Sequence, residues 1–133
     1  MRSKLLLALA ISFPLTLTSY ANAAITVDQK AEIMADVINA VTPKTQDNVT
    51  VLGARHEQNT VIIDGVVNIK QLENVTDVEF QKITPILNKA FGYGVCSETS
   101  QKQFIDEGGI IEYSLKEAAS GRVLSFKVES CAG

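Results

Sequence analysis

Cys96, Cys131 and the lone His56 are the side chains best suited to chemistry in this 133-residue chain. A structural zinc site needs about four ligands, usually in closely spaced pairs. Two cysteines 35 residues apart and one histidine supply neither the number nor the spacing. A nucleophile must sit beside a base, and no serine or cysteine forms such a pair with His56 that can be recognised from sequence. Asp106-Glu107 and Glu57 could do acid–base work, yet adjacent acids at a helix end are ordinarily surface charge, and no motif places a second carboxylate opposite them. Gly92-Tyr93-Gly94 lacks the longer glycine pattern that cradles a dinucleotide between a strand and a helix, and reads as a helix stop. These residues therefore predict no enzyme, no metal and no cofactor.

The cysteines remain, and their state depends on the compartment. The chain opens Met1-Arg2-Ser3-Lys4 and continues in an uncharged apolar run from Leu5 to Leu17. That run is shorter than the roughly 20 residues a spanning helix needs, and it leads to the small residues Ala21-Asn22-Ala23. It reads as a signal peptide over 1–23, cut between Ala23 and Ala24; an uncleaved N-terminal anchor is the alternative. In an oxidising compartment two cysteines are most simply one disulfide, Cys96–Cys131. A loop of this size gives roughly 3 to 4 kcal/mol in the chain-entropy model. Cleavage would remove Arg2 and Lys4, leaving 10 basic against 15 acidic residues, a balance of −5. Cations scattered among so many acids make a poor nucleic-acid surface. Nothing after Ala24 reads as membrane-spanning, and 24–133 suits one domain.

The elements that must hold these residues follow from periodicity. Val27, Ala31, Met34, Ile38 and Val41 lie at helical spacing within Thr26–Thr42, with Thr26 and Gln29 set as a capping box and Pro43 as the stop. Two β-branched runs, 48–55 and 60–68, flank His56-Glu57-Gln58-Asn59 and predict a hairpin, with Val61-Ile62-Ile63 opposite Val49 to Leu52. Asp64-Gly65 is either a tight turn or a bulge, and a bulge or strand end fits that pairing better. A second helix from Thr76 or Asp77 carries Phe80, Ile83, Leu87, Ala90 and Phe91 along one side to Gly92-Tyr93-Gly94. Pro85 predicts a kink near Gln81–Thr84 or a restart capped by Thr84. Ser97 is placed to cap a short helix through Asp106, with Gly108-Gly109 as a left-handed exit. Ile111, Tyr113 and Leu115, then Leu124, Phe126 and Val128, alternate with polar residues as a closing hairpin. The order α-β-β-α-α-β-β predicts an α+β fold: an antiparallel sheet of about four strands with helices on one face.

From Val95 onward, Cys96, Lys102, Ile105, Glu107, Gly108, Tyr113, Ser114 and Cys131 fall in an order that resembles the β-type, or AspS/YghG-type, pilotins of type II secretion. In that family a cysteine opens a short helix ending in an acidic residue and glycine, and a second cysteine after the last hairpin closes a disulfide. The detailed match covers about 37 residues, and the topology agrees over 24–133. The resemblance implies a protein partner, the C-terminal segment of a secretin, which family members guide to the outer membrane. Those members carry a lipid on a cysteine directly after the signal sequence. Here Ala21-Asn22-Ala23-Ala24 stands in its place, so the expectation is a non-lipidated periplasmic binding protein acting as a chaperone. The expected mode is a short amphipathic helix or extended segment in an apolar groove or along a sheet edge. Phe80, Tyr93 and Phe104 are candidate groove residues, although the core also claims each of them. Two other readings stay open: a periplasmic inhibitor or immunity-type protein that caps a hydrolase, and a small hydrolase using His56.

Overall fold

The computed structural model describes residues 25–70 and 74–131. The segment read as a signal peptide, with its cut between Ala23 and Ala24, lies outside the described residues. Helix α1 (Val27–Val41) begins as its sequence requires: the Thr26 hydroxyl accepts from Gln29 N at 3.1 Å, and Thr26 N donates to Gln29 Oε1 at 2.9 Å. Ala31, Met34, Ala35 and Ile38 face the core, while Val41 is left exposed. Strand β1 (Lys44–Gln46) pairs antiparallel with β2 (Val49–Glu57), which pairs with β3 (Thr60–Val67). Helices α2 (Asp77–Ser97) and α3 (Thr99–Asp106) carry the chain back to β4 (Ile110–Glu117), and β5 (Val123–Val128) ends the sheet. The strand order is β1-β2-β3-β4-β5.

The α+β class and the element order agree with the sequence, but the sheet differs in three respects. It has five strands, because the three residues of β1 lack any apolar alternation to announce them. It is mixed: β3 and β4 run parallel, Val61 opposite Ile111 and Leu115 opposite Gly65. Each half is a hairpin, but the link between them is a helical crossover that returns the chain to the start of β3, so the next strand must run the same way. The third difference is register. The turn at Gln58-Asn59 is tight, so Val61, Ile62 and Ile63 pair with His56, Arg55 and Ala54, while Val49 and Val51 meet Val67 and Gly65. The irregularity falls at Leu52 in β2, and β3 passes through Asp64-Gly65 unbroken. Gly65 is required there, because a Cβ would stand 2.6 Å from the Thr50 carbonyl oxygen and 2.9 Å from Leu115 Cδ2.

The helical segment also departs from expectation. Helix α2 continues through Pro85 and through Gly92-Tyr93-Gly94 to Ser97. Pro85 lies on the exposed side, where a carbonyl without its helical donor can turn to water. The buried anchors Leu87, Phe91 and Val95 extend the apolar stripe past both glycines, and packing overrides the weak local preference. Ser97 is the last residue of α2, its hydroxyl donating to Tyr93 O at 2.7 Å. Glu98 caps α3 instead, its carboxylate accepting from Gln101 N at 2.8 Å. Gly108 makes the expected left-handed exit at φ 103°.

The three helices share one face of the sheet. Helix α1 lies over β2 and β3, α2 over β5, and α3 against α2 and β4. Between helices and sheet sits one core that includes Met34, Ile38, Phe91, Phe104, Tyr113, Leu115, Leu124 and Phe126. Burial pushes the Tyr113 hydroxyl well above its ordinary pKa. Beyond the reach of β1, the Asn39 amide closes the edge of β2, donating to Ala54 O at 2.8 Å and accepting from Ala54 N at 2.7 Å as a neighbouring strand would.

Candidate functional site on helix α2

Cys96 and Cys131 are disulfide-bonded, with Cα atoms 5.6 Å apart, and tie the last turn of α2 to the residue three beyond β5. At the other end of α2, Arg122 performs the same service without a covalent bond. Its guanidinium lies 4.4 Å from the centroid of the Phe80 ring, 3.5 Å from Asp77 Oδ1 and 3.8 Å from Glu117 Oε1, and its Nε donates to Ser120 Oγ at 3.0 Å. Glu117 is buried in the β4–β5 turn and accepts from Ser120 Oγ and Ala119 N, both at 2.6 Å. The Ser120 hydroxyl, outweighing the opposing effect of burial, holds its carboxyl below the usual range, helped by the turn amides and Arg122. Helix α2 is thus fixed along β5 at both ends.

Its outward flank is a different matter. Core-facing Phe80, Leu87, Phe91 and Val95 form an ordinary apolar stripe. Beside them runs a second one: Ile83, Ile86, Ala90 and Tyr93, at intervals of three, four and three residues. That is the spacing of a seam against another helix. Ile83 and Ala90 are half-buried against the core edge, whereas Ile86 is 58% and Tyr93 79% exposed. Lys82 and Lys89, seven residues apart and both exposed, border the seam. They are the only charged residues between Glu79 and Glu98, in a chain whose overall charge is −3.

The sequence-selected residues separate accordingly. Tyr93 stands on this flank. Phe80 is half-buried under Arg122, and Phe104 is fully buried, its ring so close to the backbone that a Cβ on Gly109 would lie 2.4 Å from it. His56 and Glu57 are exposed at the end of β2. Asp106 pairs with Lys102 at 2.7 Å, and Glu107 with Lys30, bracing α3 against α1. Ile86 and the two lysines were not singled out from sequence. The signal was present in the paired seven-residue intervals, Lys82 to Lys89 and Ile86 to Tyr93. Among the described residues no three metal-capable side chains come together, and no helix is long and apolar enough to cross a membrane.

A crossover-linked pair of hairpins under three helices also occurs in solved structures. A protein of Pseudomonas aeruginosa classed as secreted superposes with a TM-score of 0.65 at 21% identity, over 80% of this chain and 93% of that one. The pilotin EpsS of the Vibrio vulnificus type 2 secretion system gives 0.61 at 15% identity, over 80% and 93%. The pilotin AspS of Vibrio cholerae type II secretion gives 0.58 at 16%, over 79% and 89%. The fold is one that pilotins use. No family model matches the chain, and no curated protein matches it by sequence. At these identities the likeness concerns the fold.

Proposed function

We propose that this chain is an exported, pilotin-like binding protein that holds a segment of a secretion-system component, a secretin C-terminal segment being the first candidate, on the outward flank of α2. The observation that carries the reading is the second apolar seam of α2, Ile83-Ile86-Ala90-Tyr93, with Ile86 and Tyr93 exposed, on a fold shared with two secretion pilotins. Apolar side chains at helical intervals on a rigid, doubly fixed helix suit an amphipathic segment, and exposed aromatic groups are the usual energetic centres of such contacts. Lys82 and Lys89 select against basic segments and favour acidic ones. The periplasm is the compartment in which a disulfide-closed chaperone of this kind would meet a secretin subunit in transit. Site-specific photocrosslinking tests the proposal in the native cell. A benzophenone side chain at position 86 or 93 should capture a secretion-system protein, and one at exposed Leu52 on the opposite sheet face should not. Capture of a hydrolase instead would transfer the reading to an inhibitor, and equal capture at all three positions would remove it.

A further inference from the structure

Helix α1 carries the counterpart of the α2 flank. Ile25, Gln29, Glu32, Ile33 and Asp36 form one open stretch of its outer side, two isoleucines among two acids. Ile33, Val37 and Ala40 continue the apolar line at intervals of four and three residues, and Glu32 and Asp36 are exposed along its border. One flank is therefore apolar with a basic border and a protruding tyrosine; the other is apolar with an acidic border.

The two cannot meet within one molecule, because α1 lies over β2 and β3, α2 lies over β5, and α3 occupies β4 between them. We propose that a second copy of this chain docks its α1 flank on the α2 flank. Lys82 and Lys89, about 10 Å apart along α2, face Glu32 and Asp36 across the seam, and Tyr93 lies beyond the lysines at its end. Such a contact is heterologous: each copy uses one flank and leaves the other open, so association extends with concentration unless the rotation closes a ring. The inference rests on the reading of the α2 flank as a docking surface and adds a regulation of it. At high local concentration the copies cover one another's binding seams, and a secretion segment must displace a neighbour.

Sedimentation velocity on the purified exported chain tests this. Self-association should rise with concentration and weaken by about tenfold between low and high salt, because charged borders contribute to it. K82E/K89E should be monomeric, as should E32K/D36K, whereas their mixture should associate, since each mismatched flank finds its complement on the other variant. Thermal melts establish that both variants are folded, and recovery on mixing would itself require it. A monomeric wild type at low salt and concentrations approaching millimolar would overturn the proposal, as would association indifferent to both reversals or a mixture that stays monomeric. E32K/D36K leaves the α2 flank intact and should still bind a secretin segment. Segment binding without self-association therefore contradicts only this inference, and self-association without segment binding contradicts only the functional proposal.

Discussion

Phe91 and Tyr93 are two residues apart on one helix and nearly equal in size, yet the protein uses them in opposite ways. Phe91 is 2% exposed and packs against Phe126 and Tyr113, each with ring centroids 4.7 Å away; Tyr93 is 79% exposed. A turn of 100° per residue explains why they face apart. It does not explain why the outward side carries Tyr93 and Ile86 when polar residues would serve a solvated face. The inner side accounts for the stability of the domain. The outer side has no such duty, which is why it reads as a binding surface.

That contrast can be broken from either side. Phe91→Ala should have the largest effect, a loss of about 3 to 5 kcal/mol in denaturant titration, because it opens a cavity and removes both ring contacts. Replacing both cysteines by serine should cost about 3 to 4 kcal/mol. Hydrogen exchange should then show the amides of Val123–Val128 losing protection before those of α1, since the bridge ties this strand to α2. Arg122→Ala comes next, at about 1 to 2 kcal/mol, by uncovering Phe80 and loosening the Glu117 turn.

A smaller effect is present at neutral pH and disappears in acid. Glu117 has its folded pKa lowered, so its contribution is fully present above the unfolded value near 4.5 and is lost as pH falls through the folded value. Glu117→Gln should therefore weaken the protein at neutral pH and flatten the acid limb of its stability profile below pH 4.5. An unchanged acid limb would mean that the Ser120 and turn-amide contacts do not favour the ionised form. The smallest effect belongs to Tyr93→Ala, expected to stay within about 0.5 kcal/mol of the parent.

How far the sequence reaches follows the same division between local and non-local causes. The capping box of α1 and the alternation Ile111-Tyr113-Leu115 with Leu124-Phe126-Val128 are local patterns, and both translate directly into structure. The β2–β3 register was displaced because it depends on a tight turn at Gln58-Asn59 that composition alone does not announce. Parallel pairing of β3 with β4 is a property of the crossover between the hairpins. Helix α2 outran its proline and glycines because Leu87, Phe91 and Val95 gain more from the core than Gly92 and Gly94 lose. Of the three aromatic candidates, Phe80 shares the helical stripe of Leu87 and Phe91, whereas Tyr93 is turned away from that stripe only because α2 runs on through Gly92-Tyr93-Gly94.

A flank of α2 that binds a partner segment without holding the fold together should let affinity and stability be separated. Titration of secretin C-terminal peptides from the same cell into the parent protein and into Ile86→Ala/Tyr93→Ala tests it most directly, with melting measured alongside. Affinity should be lower by about tenfold or more in the variant at an unchanged melting temperature. Equal affinities for a peptide that does bind would contradict it.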